Sequence, residues 1–351
     1  MIRCCSYVAI GLLLLGCTQR QEPVSPPWIS QEDTLTTDEF DLTQIEQAGE
    51  LIAVTLSGPE TYYEFRGRQL GLHYLLCEQF ARHLGVKLRV ETCRDTTELI
   101  TRLDEGDVDL AVIDFSHDSL SPGWLVGSNK PELRDALQSW YEPSLLASTR
   151  QLEKQLLSQP RVQRRIFAPM LSSGVISRYD ALFKLYSKRI GWDWRLLAAQ
   201  CYQESTFDPN ARSWAGAQGL MQIMPQTADH LGLARTDLNK PEPNIEAAVR
   251  YLKELDREFS AIRDRQERQN LMLAAYNGGV HHVHDAMRLA ERDGFNPNRW
   301  ADVRTYILHL ADPRYYQDTL VHYGYMRGSE TADYVDKIRQ RYQQYRKKVR
   351  P

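Results

Sequence analysis

The chain has 351 residues, room for about two domains. Its hydrophobic fraction of 42% and charged fraction of 25% fit a protein with a buried core and exclude a wholly disordered chain. A net charge of −3 argues against a general binder of nucleic acid.

Met1 to Gly16 holds Arg3 and then the apolar run Tyr7 to Leu15. That run is too short to span a bilayer and reads as the core of a signal peptide. It ends in Leu14-Leu15-Gly16-Cys17, which resembles a bacterial lipobox. The resemblance implies cleavage before Cys17 and lipidation of Cys17; the alternative is an ordinary secretory signal with a chance cysteine. Thr18, rather than aspartate, follows the cysteine, which implies the outer membrane, with the protein facing the periplasm. Residues 18–39 are polar, carry Pro23, Pro26 and Pro27, and read as a flexible tether. Export implies an oxidising compartment, in which Cys77 and Cys93 could pair. Cys201 reads as a small core residue.

Residues 40–143 alternate strand and helix. Leu51–Leu56, Val86–Val90 and Val108–Ile113 read as strands, Leu72–Leu84 and Thr96–Glu105 as helices stopped by Gly85 and Gly106. A parallel sheet is expected, with a turn near Arg66-Gly67-Arg68. The wording of GELIAVTL, of RGRQLGLHYLLCEQFARHLGVKLRV and of ELITRLDEGDVDLAVID resembles the first lobe of a periplasmic solute-binding protein. Such domains have two lobes. Here Trp124-Leu125-Val126 and a helix from Pro131 to Tyr141, which resemble the closing elements of the first lobe, follow almost at once, so the second is mostly missing. Docking, regulation and a structural spacer all remain open as roles. Tyr62 and Asp114 lie near strand ends, where α/β sheets bind ligands, but are not taken as site residues.

Residues 144–175 read as a helical linker, with a weakly amphipathic pattern from Leu145 to Leu157. Residues 176–351 are dominated by helical patterns. Asp193 can cap a helix that runs to about Ser205, before the turn Asp208-Pro209-Asn210. Asn244 is read as the cap of a helix with Ile245, Val249, Leu252, Leu255 and Phe259 inward. Further helices are expected at 266–276, 300–310, 314–323 and 331–347.

Glu204 falls in the last turn of its helix, where the macrodipole disfavours negative charge. If Phe207 and Met224 also desolvate it, its carboxyl stays protonated near neutral pH, as a general acid requires. Ser213 follows nine positions on, Gln222 eighteen and Met224 twenty. Far downstream come Ala274-Ala275-Tyr276-Asn277-Gly278-Gly279 and Tyr334-Val335-Asp336-Lys337-Ile338. These four ordered blocks resemble the lysozyme-like domain of the soluble lytic transglycosylases. With the lobe before it, the chain has the layout of the membrane-bound lytic murein transglycosylases of the F type.

The fold expected is therefore α+β and multidomain, a small α/β solute-binding-like lobe followed by a mainly α lysozyme-like domain. The resemblance implies cleavage of the β-1,4 bond between N-acetylmuramic acid and N-acetylglucosamine in peptidoglycan, with 1,6-anhydro ends. Glu204 would be the catalytic acid and then base. Ser213 and Gln222 would bond sugar or acetamido groups, Met224 would pack on a sugar face, Tyr276 would orient Glu204 or stabilise the transition state, and Asn277 would bind sugar or shape its turn. Tyr334 could line the cleft, yet Tyr334, Ile338, Tyr342 and Tyr345 also form a core stripe. Asp208 reads as a turn residue. His281, His282 and His284 lack a recognised metal-binding pattern, so no metal or cofactor is expected. The implied partners are glycan strands and, through Cys17, a membrane. Two other readings stand beside this one: a goose-type muramidase leaving reducing ends, and a non-catalytic peptidoglycan-binding or sensing lipoprotein.

Overall fold

The structure, a computed structural model, describes residues 40–113, 122–158, 162–163 and 166–350. Cys17, the tether of residues 18–39 and Asp114 lie outside them. Among the described residues no helix is long and apolar enough to cross a membrane.

The first part comprises α1 (Leu42–Ala48), β1 (Glu50–Leu56), β2 (Tyr63–Phe65), β3 (Arg68–Leu70), α2 (Leu72–His83), β4 (Lys87–Cys93), α3 (Thr96–Asp104), β5 (Leu110–Ala111), β6 (Leu125–Val126), α4 (Pro131–Trp140) and α5 (Pro143–Ser158). Its sheet has the order β4-β1-β5-β6. The expected parallel pairing is found between β1 and both β4 and β5, while β6 runs antiparallel at the edge. Alternation along β1 divides the core in two. Leu51 and Ala53 join Ile45, Leu76, Phe80 and Leu133, whereas Val54 joins Leu99, Leu103 and Ala111. Cys77 belongs to the first cluster and Cys93 to the second; both are buried free thiols. The segment expected as a linker helix, α5, packs on α2 and buries Thr149, Glu153 and Leu156.

The turn expected at Arg66 is the tip of a hairpin that sequence reading did not give as strands. Tyr63 pairs with Leu70, Glu64 with Gln69 and Phe65 with Arg68. Both tip residues are left-handed, Arg66 at φ 56° and Gly67 at φ 74°, the conformation that a two-residue hairpin turn demands. Tyr63 and Leu70 are buried with Tyr74, Leu75 and Leu156, and Trp214 and Tyr325 of the helical part pack against them.

The second part comprises β7 (Val162–Gln163), α6 (Asp180–Ser187), α7 (Trp194–Ser205), β8 (Arg212–Ser213), α8 (Pro225–His230), α9 (Pro241–Glu258), α10 (Arg265–Gly278), α11 (Val280–Arg292), α12 (Trp300–His309), α13 (Pro313–Tyr316) and α14 (Ser329–Lys348). One large core unites α6, α7, α9, α10, α11, α12 and α14. At its centre α7 is buried almost all round, from Trp194 to Cys201 and again at Glu204 and Ser205, polar side chains included. Its start is as expected, with Asp193 accepting from the Arg195 amide and also pairing with the Arg195 guanidinium. The helix expected at 314–323 is only one turn, because Asp318 turns the chain by accepting from the Leu320 amide.

Asn244 does not cap α9. Pro241 starts that helix three residues earlier, and Asn244 lies inside it, fully buried. Its amide nitrogen donates to Gln218 O at 3.1 Å and Leu238 O at 2.8 Å, and its oxygen accepts from Met221 N at 2.8 Å. A poor helix former has been spent on clamping the loop between β8 and α8.

Candidate active site

The residues singled out from sequence converge on one cleft of about 280 Å³, lined by Glu204, Ser213, Gln222, Met224, Tyr276 and Asn277. Glu204 lies one residue before the end of α7 and is 1% exposed. Thr206 closes the helix in the left-handed conformation, and Phe207 repeats it. This sharp exit leaves Glu204 at the cleft while the chain turns away. Asp208 makes the expected turn by accepting from the Asn210 amide at 3.0 Å.

The loop from Arg212 to Met224 forms one wall. Ser213 is tied to Ala217 twice, its amide donating to Ala217 O and its Oγ accepting from Ala217 N, both at 2.9 Å. Gln222 adopts a left-handed backbone at φ 50°. Its amide nitrogen donates to Ala211 O at 3.1 Å and Gly219 O at 2.9 Å, while its buried Oε1 has no protein partner. Loop hydrogen bonds thus orient Gln222 and leave an acceptor for a ligand. Gly219 is left-handed, and a Cβ there would run into Leu238 O and the Asn244 amide.

The opposite side comes from α10 and α14. Tyr276 donates to Met221 O at 2.8 Å and packs on Tyr251. Asn277 accepts from Thr331 Oγ1 at 2.8 Å, which ties the end of α10 to the start of α14. Tyr334, 1% exposed, lies in the core stripe with Ile338 and Tyr345, and its hydroxyl also donates to Glu204 Oε1 at 2.5 Å. Sequence reading gave Tyr276 the orienting of Glu204 or the stabilising of the transition state; the structure adds the Tyr334 hydroxyl as a direct partner of Glu204.

Sequence reading missed two contributors. Asn244 is one; its signal was an inward-facing asparagine three residues into a proline-started helix. The β2–β3 hairpin is the other. Glu64, Phe65, Arg66 and Gly67 line the same cleft as Glu204. Among the described residues, the non-glycine residues with positive φ are Arg66, Thr206, Phe207 and Gln222, all in or beside this cleft. Such strain gathers where geometry serves a site.

The three histidines lie on α11. His281 stacks on Tyr323 with centroids 4.1 Å apart, His284 lies 3.8 Å from Glu258, and burial pushes His282 down to about 4. No group of three or more metal-binding side chains occurs among the described residues.

A family model described as "Transglycosylase SLT domain" matches residues 181–298. Membrane-bound lytic murein transglycosylase F of Citrobacter koseri is 28% identical, over 95% of this chain and 85% of that protein. That alignment spans 453 positions against 351 residues here, so at least 102 of its positions face no residue of this chain. The protein of the same name from Desulfosudis oleivorans is 41% identical over 163 residues, 46% of this chain and 35% of its own. Among solved structures, an inactive mutant of lytic transglycosylase Slt from Pseudomonas aeruginosa shares 24% identity at a TM-score of 0.34, covering 50% of this chain and 25% of that one. The 70 kDa soluble lytic transglycosylase of Escherichia coli shares 26% at 0.32, covering 48% and 24%. The chain thus spans about a quarter of either solved protein. Residues 181–298 thus match the transglycosylase SLT domain, and over 95% of its length the chain is similar to membrane-bound lytic murein transglycosylase F.

Proposed function

We propose that this protein is a peptidoglycan lytic transglycosylase. It cleaves the β-1,4 bond between N-acetylmuramic acid and N-acetylglucosamine and leaves a 1,6-anhydro end. The observation that carries this reading is Glu204, a buried carboxyl at the floor of a cleft, held by the Tyr334 hydroxyl at 2.5 Å. Desolvation disfavours the charged form of such a group, which is the direction a general acid needs.

Glu204 gives its proton to the glycosidic oxygen as the bond to muramoyl C1 breaks. The carboxylate formed then takes the proton of the muramoyl C6 hydroxyl as O6 bonds to C1. The proton returns to Glu204, and no water is consumed. Attack from within the same sugar gains from proximity. Gln222 Oε1, unpartnered in the protein, accepts from an acetamido N–H or a sugar hydroxyl. Tyr276, fixed to Met221 O, and Met224 supply surface for the sugar rings. A hydrolase usually needs a second carboxylate to act as base or nucleophile. Asp208 is committed to its turn, and Glu330 of the cleft lining is paired with Arg66 at 2.7 Å. Glu64, on the β2–β3 hairpin, is a further carboxyl of the cleft lining, so the products themselves decide between lyase and muramidase.

Residues 1–17 act as the lipoprotein signal and residues 18–39 as the tether, which holds the enzyme at a membrane, with the lipid on Cys17 and the outer membrane as the site. The relatives' name, membrane-bound, supports membrane association. Residues 40–143 form a single solute-binding-like lobe, residues 144–175 a connector, and residues 176–351 the catalytic domain. The lobe serves as a docking platform. Ser57 and Gly58, at the end of β1 where α/β sheets hold ligands, meet the helical part: Ser57 Oγ accepts from Tyr325 N at 2.8 Å, and Gly58 faces the Tyr316 hydroxyl.

The test is mass spectrometry of muropeptides released from sacculi by the protein lacking residues 1–17. Products lighter by one water than hydrolytic ones are expected, with release falling about 10²–10⁴-fold in folded Glu204→Gln. Reducing-end products would move the reading to the muramidase. Full activity in Glu204→Gln would refute the role of Glu204.

A further inference from the structure

The β2–β3 hairpin belongs to the lobe, yet its tip reaches both sides of the catalytic cleft. On one side Gly67 lies against Met224, so that an added Cβ would sit 3.1 Å from the Met224 methyl. On the other side the Arg66 guanidinium pairs with Glu330, in the first turn of α14, at 2.7 Å. Phe65 is held between two cations, with Arg66 4.7 Å and Arg327 4.9 Å from its ring centre. Behind the tip, Arg68 lies over Trp214 and the Tyr63 ring packs edge-on against Tyr325. A continuous barrier thus runs from the Met224 wall to the Glu330 wall.

One feature indicates that this barrier is built rather than incidental. Arg66 stands at a left-handed position that Gly, and to a lesser degree Asn, adopts readily and arginine does not. What the arginine adds there is the reach to Glu330 across the cleft. A long polymer passing through would need a groove open at both ends.

We propose that the hairpin tip, through Arg66 and Gly67, is an end stop that confines cleavage to the ends of glycan strands. On this proposal the end of a strand lies between the tip and Glu204, which line the same cleft, and a strand continuing beyond it would collide with the hairpin. Specificity of this kind comes from a built-in clash with the wrong substrate rather than from added affinity for the right one. The inference rests on the lytic transglycosylase reading above and adds its mode of attack.

The test uses uncrosslinked glycan strands of defined length, with products sized over time by mass spectrometry. In one variant Glu64–Gln69 is replaced by Asn-Gly. Because Tyr63 and Leu70 are already a cross-strand pair, the shorter turn closes directly on them. The second variant, Arg66→Ala, keeps the hairpin and removes the pin to Glu330. The wild-type protein is expected to release short terminal anhydro products from the first time points. The ratio of internal to terminal cuts is expected to rise about tenfold in the shortened variant and about threefold in Arg66→Ala. Wild-type protein that makes anhydro products of all lengths from the start would overturn the end stop while leaving the lyase reading intact. So would variants that cut faster with unchanged product lengths. Wild-type protein that makes no anhydro products would remove the lyase reading and the end stop with it. Should the shortened hairpin fail to melt cooperatively, Arg66→Ala alone decides: an unchanged ratio refutes the proposal.

Discussion

Two short segments wall the same cleft and are held in different ways. The loop from Arg212 to Met224 belongs to the catalytic domain and is fixed by buried amides. Asn244 makes three hydrogen bonds to its backbone or its flank, and Gln222 makes two. The β2–β3 hairpin is lent by the lobe and fixed by side chains, an ion pair at its tip and aromatic packing at its base. Buried amide networks are costly to leave half made, so the first wall is an all-or-none structure. The Arg66–Glu330 pair keeps 21% exposure on each side chain, so it is a partly solvated contact rather than part of a sealed polar network. The second wall can therefore change without dismantling the site. One wall makes the chemistry possible, and the other decides which substrates reach it.

The largest effect should come from breaking the first wall. In Asn244→Leu the Met221 amide and the Gln218 and Leu238 carbonyls lose their partners within the core. At about 1–3 kcal/mol for each unmet buried group, partly relieved by relaxation, the domain should lose roughly 3 kcal/mol. That corresponds to a melting temperature lower by about 10 °C. Cleavage should fall on every substrate, long or short, and calorimetry with the same sized-strand assay checks both. Were Asn244→Leu to change product length and leave stability untouched, the contrast between the walls would collapse.

A smaller effect should come from Tyr334→Phe, which keeps the ring in its core stripe and removes the hydroxyl on Glu204. The carboxyl then keeps its burial and loses a fixed orientation. A drop in kcat of about 10–100-fold with KM little changed is expected, as for loss of a group that positions the acid and does not bind the sugar. A pure KM effect would assign Tyr334 to sugar binding instead. This variant sharpens the comparison, because it weakens the chemistry without touching either wall.

The sequence made the first wall readable and hid the second. Motif residues Glu204, Ser213, Gln222, Met224, Tyr276 and Asn277 all line the one cleft, because local spacing, helix stops and glycines carry that information. The end of α7 at Ser205 and the parallel pairing of β1 with β4 were readable for the same reason. The function of Asn244 depends on a loop some twenty residues away, and a cap reading was the local alternative. Proline at the first helical position argues against it, since it starts the helix and leaves the asparagine inside. Tyr334 was legible as core or as site, and it is both, which no periodicity can express. The hairpin was visible only as a turn at Arg66. Its role depends on how the lobe sits against α14 and Met224, and no pattern within residues 63–70 encodes that.

The smallest effect lies away from both walls and serves as their control. His282 is half-buried on α11, with Nδ1 sealed from solvent and without a partner, and burial pushes its pKa down to about 4 from 6.5. The unfolded chain therefore binds more protons than the folded one between these values. Stability attached to the neutral ring is complete above about pH 6.5 and is lost as pH falls toward about 4. Discounted for its partial exposure, the loss should amount to about 1–2 kcal/mol. Urea melts of the wild type across this range should show that decline, and His282→Leu should flatten it. At neutral pH the variant should cut the same strands at the same lengths, because His282 touches neither the amide-clamped loop nor the hairpin. A change in product length in His282→Leu would mean that α11 reaches the cleft through Tyr323 and Gly324, which lies against Ser57 behind the hairpin. The hairpin's position would then depend on the catalytic domain's packing as well as on its own tip.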